Sequence, residues 1–282
     1  MTDNAPERPV LQKLLTHGLG TAIVADGYDH VGGIVVLASD AAAFHTPDRL
    51  LSAYGFDAAG QEFVDVVRFE LPLLAALTNP VAPGADRTPL YPTGFLTGDA
   101  VVPVWELSRT RYSFGAEYWR IRSDGEQKCL SAYQGAARGW RGAKAWRPWS
   151  PLVGPRARWR GAEMAADVVG DSVLLSVRAD EGPRGWEQVR PQTWVAAVPA
   201  AECELFEVVL TATWQGVPVR ILESGPSGAR VLLLIDDASR AESLGATVVE
   251  PGVFEATAAI DALLDRHGVT NELDPAQRPT RG

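Results

Sequence analysis

One short pattern occurs twice, 55 residues apart, and it frames the second half of the chain. Residues 157–161 read ARWRG and residues 212–216 read ATWQG. Each is followed by an apolar run, a charged turn region and a second aromatic residue near a proline. The match continues through Val173, Leu174 and Leu175 against Val231, Leu232 and Leu233. Gly185, Pro191, Trp194 and Ala196 then match Gly245, Pro251, Phe254 and Ala256 at an offset of 60. Short loop insertions account for the growth in offset, and a matched series of this kind is the signature of duplication. A weaker third copy is suggested by Gly115, Ala116, Glu117 and Tyr118, which resemble Gly161, Ala162, Glu163 and Met164.

Strand alternation would put Trp159 and Trp214 on one side of a first strand, with their immediate neighbours on the other. The runs VLLSV at 173–177 and VLLLI at 231–235 have the length of core strands. Units of roughly 50 residues have marginal cores alone, so neighbouring copies are expected to pack together. Each unit resembles a small SH3-like barrel, a resemblance that names an architecture and no function. The expected fold class is mainly β with some α: tandem small SH3-like β-barrel modules following an N-terminal α/β unit. The expected boundaries are a small α/β unit at 1–80, a linker and entering strand at 81–108 and a divergent β module at 109–155. Two SH3-like modules follow at 156–208 and 209–270, the second with a terminal helix, and then a disordered tail at 271–282.

Within the first unit, Leu11, Leu14 and Leu15 have helical spacing with Gly18 as a stop, and residues 21–24 (TAIV) read as a short strand. Gly32 and Gly33 open a buried strand that runs to Leu37. Thr46, Pro47 and Asp48 form a helix start. Residues 61–78 are ambiguous, with a helical apolar face but β-branched content and Pro72. The segment 79–98 holds four prolines and three glycines and reads as the long loop. Near the other end, residues 237–244 form a helix stopped by Gly245. Ala259, Ile260, Leu263 and Leu264 predict the terminal helix over 255–266.

Charge is distributed unevenly. The net charge of −9 disfavours general nucleic-acid binding. Residues 109–160, however, carry twelve Lys/Arg against three Asp/Glu, whereas 161–282 carry nine against nineteen and 1–90 carry five against eleven. A basic middle between acidic ends either draws parts of the fold together or marks a face for an acidic partner. Cys129 and Cys203 stand alone, which fits neither a disulfide framework nor a zinc site. Together with a polar, acidic N-terminus that lacks a signal-peptide pattern, they lead to the expectation of a cytoplasmic protein. A composition rich in Ala, Arg, Gly, Val and Asp points to a high-GC bacterial source.

No catalytic motif stands out, and no cofactor or metal is expected. His17, His30, His45 and His267 make no metal-binding pattern. Asp29-His30, flanked by glycines, is the most interesting pair for chemistry. The glycines at 18, 20, 32 and 33 precede strands, contrary to a dinucleotide fingerprint. The candidate partner-binding residues are Tyr118, Trp119, Arg120, Arg122, Trp140, Arg141, Trp146 and Arg147. Arginine and tryptophan suit an interface because indoles exclude water and guanidinium groups pair with carboxylates. The leading expectation is a non-catalytic protein-binding module protein, an immunity or adaptor protein whose partner presents an acidic face. The alternatives are an enzyme with an N-terminal catalytic cleft and a nucleic-acid-associated protein using the basic aromatic segment.

Overall fold

The run FVDVVRFE, ambiguous as a sequence, shows how the N-terminal half is built. It is strand β3 (Phe63–Glu70), and its alternate residues enter two different cores. Val67 and Phe69 face one core, while Val64 and Val66 face the other. Burial on both faces is what makes a strand read as a nearly continuous apolar run. The computed structural model describes residues 8–78, 94–97 and 100–273. Residues 1–7 and most of the expected loop at 79–98 lie outside the described residues.

Seven antiparallel strands form the first sheet. They are β1 (Val10–Leu14), β2 (His30–Leu37), β3, β4 (Leu77–Thr78), β7 (Trp105–Arg111), β8 (Glu117–Arg122) and β9 (Gln127–Ala132), in the order β4-β7-β2-β1-β3-β8-β9. The first 80 residues therefore share a sheet with 105–132. β7 and β8 lie apart within it, joined to β2 and β3. Helix α1 (His17–Asp26) covers one face together with Tyr112, Tyr133 and Trp140. The other face carries α2 (Ala38–Ala41) and α3 (Pro47–Ala53), along with a two-stranded ribbon of β5 (Phe95–Thr97) and β6 (Val101–Pro103).

Two local expectations are reversed here. The leucines at 11, 14 and 15 lie in or just after a strand, because β1 is hydrogen-bonded on both edges, to β2 and β3. The TAIV segment lies inside α1. The Thr16 hydroxyl caps that helix by accepting from the Leu19 amide at 3.2 Å, and Leu19 and Ile23, four apart, pack into the core. Tertiary packing here overrides the β-like composition. The helix start at Thr46-Pro47 and the buried strand after Gly32 are found as expected.

Residues 156–272 form the second sheet. Its strands are β10 (Arg156–Trp159), β11 (Ala162–Val169), β12 (Ser172–Arg178), β13 (Glu187–Arg190), β14 (Thr193–Pro199), β15 (Glu204–Trp214), β16 (Val217–Gly225), β17 (Gly228–Leu233), β18 (Thr247–Glu250), β19 (Val253–Ala258) and β20 (Leu264–Glu272). The fold is mainly β, and among the described residues no sheet closes into a barrel. β15 is shared: residues 204–206 pair with β10, residues 210–214 pair with β16, and β20 runs along the opposite edge. One side of β15 thus reads β13-β14-β12-β11-β10-β15. The other series reads β18-β19-β17-β16-β15-β20. The two ARWRG-type turns have matching backbones, with φ of 50° and 77° at Arg160-Gly161 and 49° and 78° at Gln215-Gly216. Two successive positive φ angles are those of a tight type I′ hairpin. Each series has its own core, around Ala157, Val173 and Leu175 in one and Ala212, Val231 and Leu233 in the other.

The terminal helix expected over 255–266 is absent. Residues 253–258 are strand β19, paired with both β17 and β18, and a short 3-10 turn (Ile260–Ala262) leads into β20. Pairing on both edges satisfies the backbone more completely than an isolated helical stripe would. β20 occupies 264–272 and Leu273 is buried, so the start of the expected tail at 271–273 is ordered structure; 274–282 lie outside the described residues. Helix α4 (Ala238–Ser243) is capped by Asp237, whose Oδ1 accepts from the Arg240 amide at 2.9 Å. No described helix is long and apolar enough to cross a membrane.

Candidate functional site

Half of the cations in the basic segment are tied to the acidic C-terminal part of the chain. Among the described residues, six of the twelve pair with carboxylates of residues 161–282. Arg109 meets Glu255, Arg111 lies 3.6 Å from Asp167, Arg138 meets Glu187 and Arg147 meets Glu223. Arg156 pairs with Glu163, and Arg158 with Glu163 and Glu204. The innermost members are almost fully buried. Arg230 joins them by donating to Glu255 at 2.9 Å and lying 3.2 Å from the His30 ring. Arg111 also donates to the Ala166 carbonyl at 2.8 Å. This approach requires Gly154 (φ +85°), where a Cβ would fall 2.6 Å from the Arg111 Cβ. Arg220 donates to Glu207 at 3.0 Å.

Asp29 and His30 lie within this joint. Tyr133 donates to Asp29 at 3.1 Å, and the Tyr28 ring lies 5.5 Å from that of His30. Burial raises the Asp29 carboxyl to about 6, against the opposing pull of Arg111 and the Tyr133 hydrogen bond. Burial, and then the charges of Arg230 and Arg109, hold His30 well below its usual range, so it is neutral. The glycines after His30 do not expose this pair: both side chains are almost completely enclosed.

A different part of the basic segment borders an open cleft beside α1. Gly27 (φ +69°) ends that helix, and a Cβ there would fall 2.6 Å from the Ala145 carbonyl oxygen. The close approach brings loop 140–145 against the helix, where the Lys144 amide donates to Val24 at 2.9 Å. The cleft between them has a volume of about 290 Å³ and is lined by Ile23, Val24, Tyr118, Arg120, Leu130, Ser131 and residues 140–143. A second hollow of about 200 Å³ shares Val24, Tyr118 and Arg120 with it and adds Lys144. Tyr118 donates to Asp65 at 2.7 Å. Arg120 grips the same carboxylate from two nitrogens, at 2.8 and 2.9 Å. Arg141 and Lys144 are exposed at the border.

Four of the eight candidate partner-binding residues therefore come together: Tyr118, Arg120, Trp140 and Arg141. The phenol of Tyr118 and the indole of Trp140 also belong to the core, Trp140 donating to the Tyr28 carbonyl at 2.9 Å. The other four lie elsewhere. Trp119 packs toward the second face of the first sheet and donates to Glu117, and Arg122 is exposed at the end of β8. Trp146 donates to the Ala136 carbonyl at 3.0 Å, and Arg147 is bound to Glu223. Sequence reasoning missed Ile23 and Val24, because it placed residues 21–24 in a strand.

A third hollow, of about 350 Å³, lies across the first sheet from α3 to the β18–β19 turn. Leu14, Leu15, Ile34, Leu51 and Val64 supply apolar walls, with Tyr54, Phe56 and Phe63 adding rings. Tyr54 and Phe56 stack in parallel, 6.2 Å between centroids. Glu250 reaches the hollow from the second sheet, and one of its oxygens forms a buried ion pair with Lys13. No sequence pattern singled out this glutamate, which sits in an ordinary strand before a Pro-Gly turn. Comparison with known proteins found no matching family, no matching curated protein and no matching solved structure.

Proposed function

We propose that this chain is a non-catalytic binding protein, an adaptor or immunity-type protein. In this reading it receives an acidic segment of a partner protein in the cleft beside α1. The carrying observation is the convergence of Tyr118, Arg120, Trp140 and Arg141 around a hollow with apolar walls from Ile23, Val24 and Leu130, with Lys144 on the adjoining hollow that shares Val24, Tyr118 and Arg120. Arg120 is already neutralised by Asp65, which leaves Arg141 and Lys144 to meet carboxylates of the partner. The apolar floor and the two border cations suit a segment with an apolar anchor and flanking Asp or Glu. The deep joint around Asp29 and His30 serves cohesion in this reading, because its charges are enclosed and paired.

The second sheet is the scaffold of this protein, and its two series descend from one SH3-like module duplicated in tandem. Supporting this are the paired hairpin turns with matching φ angles, the same order of six strands around β15, and the aligned apolar positions. The third copy at 109–155 has no such support, since its first two strands, β7 and β8, do not pair with each other.

The test is capture of partners from the native organism by the wild type and by a doubly reversed variant, Arg141→Glu with Lys144→Glu. A photo-crosslinking residue in place of Leu130 reports on the cleft itself. A partner that crosslinks through position 130 and is lost on charge reversal supports the reading. Equal recovery by a folded reversed variant, with no crosslink, overturns it.

A further inference from the structure

The hollow over α3 is chemically unlike the cleft beside α1. Its walls are aliphatic and aromatic, and no lysine or arginine is among the described residues that line it. Three carboxylates do: Asp57, Asp65 and Glu250. Two have their hydrogen bonds occupied locally. Asp57 accepts from the Ala59 amide at 2.9 Å, and Asp65 is held by Tyr118 and Arg120. Glu250 differs. It is buried, one oxygen is paired with Lys13, and its Oε1 has no hydrogen-bond partner among the described residues. A buried carboxylate oxygen without a donor is a destabilised group, and a ligand that supplies the donor relieves it.

Size narrows the ligand further. An apolar cavity of roughly 150 Å³ is enough for a benzene ring. At about 350 Å³ this one has room for a ring and a short chain with a polar head. The parallel Tyr54 and Phe56 rings offer an aromatic wall. Burial and the neighbouring Glu250 carboxylate both push the Tyr54 phenol above its usual range, so this wall stays neutral.

We propose that the hollow is a binding site for a small arylalkyl amine, its ring against Tyr54 and Phe56 and its ammonium donating to Glu250 Oε1. The site is separate from the partner cleft in its chemistry and in its wall residues, apart from His17 and Asp65 at the boundary. It joins the two halves of the fold, because Glu250 ends β18 of the second sheet and Pro251 follows it, while the other described wall residues come from β1, β2, β3, α1, α3 and the segments beside them.

The experiment titrates the full chain with phenethylamine, phenethyl alcohol and 3-phenylpropionate by calorimetry or ligand-observed NMR. The amine should bind at least about tenfold more tightly than the alcohol, as a charge-assisted hydrogen bond implies. The carboxylate, of similar shape and opposite charge, should bind weakest. Leu51→Trp, which fills the hollow without touching the ion pair, should abolish amine binding. Glu250→Gln should weaken it about tenfold, and if that variant does not fold, Leu51→Trp and the ligand series still decide the outcome. Binding of 3-phenylpropionate as tight as that of the amine overturns the proposal, as does no amine binding to the folded wild type or amine binding unchanged in Leu51→Trp. The variant Arg141→Glu with Lys144→Glu should bind phenethylamine normally, so a failure of the partner cleft is distinguishable from a failure of this site.

Discussion

The joint between the sheets and the cleft beside α1 draw on the same basic stretch of chain but use its cations in opposite ways. At the joint, Arg109, Arg111 and Arg147 meet Glu255, Asp167 and Glu223, and the deepest pairs are shut off from water. In the cleft, Arg141 and Lys144 stand exposed at the edge of a hollow. Burial makes the difference. A guanidinium taken out of water must have a carboxylate, so an arginine at the joint is committed to cohesion. An exposed cation costs the fold little and is free to serve recognition.

Breaking the joint should produce the largest effect. Glu255→Ala leaves Arg109 without its carboxylate and removes one partner of Arg230, so it is expected to cost about 3–5 kcal/mol, the usual penalty for stranding a buried charge. The urea midpoint measures it, and a loss below about 1 kcal/mol would place the joint among the surface pairs. A smaller effect is expected from protons. The unfolded chain protonates His30 near 6.5 while the fold keeps it neutral, so its contribution is full above that pH and is lost as the pH falls. Asp29 acts in the other direction. Its folded value of about 6 lies above the ordinary 3.8, so its contribution is full below 3.8 and is lost as the pH rises through 6.

The two slopes oppose each other in wild type between about pH 4 and 6.5. Asp29→Asn should uncover the loss of stability on acidification, and His30→Gln should uncover a gain. Melting temperatures across that range check both, and two variants that keep the wild-type profile would refute the linkage. On the cleft side, Tyr118→Phe removes the donor to Asp65 and is expected to cost about 1 kcal/mol, readable from the same urea curves. Reversal of Arg141 and Lys144 to glutamate comes last. It should change stability by no more than about 0.5 kcal/mol while removing partner capture, which separates recognition from cohesion. A large loss of stability in that variant would merge the two regions into one.

The glycines of ARWRG and ATWQG were legible as bends because a tight turn is a local matter, but each bend was read within a single first strand, whereas the structure makes it a full hairpin between two strands. Arg160-Gly161 and Gln215-Gly216 adopt the same pair of positive φ angles, and the strands beside them alternate as their residues require. The helix at 238–243 was legible for the same reason, with its Asp237 cap and Gly245 stop in place. Half of the candidate interface converged on the cleft, since strand β8 carries Tyr118 and Arg120 on one face and Ser131 of β9 holds the backbone of Arg141 through a 2.7 Å hydrogen bond. Trp119 lies between Tyr118 and Arg120 on β8 and therefore faces the other core, as strand alternation requires, so neighbouring residues grouped as one interface part to opposite faces.

By itself, the sequence determined the β character of the second half, the matched glycine positions of its repeated pattern and the contrast between a basic middle and acidic ends. Only the tertiary structure decided that TAIV would be helix and residues 253–258 strand. Those segments have weak or divided local preferences, and the partners that settle them are remote: the core around Tyr112 for α1, and β17 with β18 for β19. It also decided which arginines are committed to cohesion. Composition supplies the charges, but burial and the position of a carboxylate from another part of the chain determine whether each is locked or left in water.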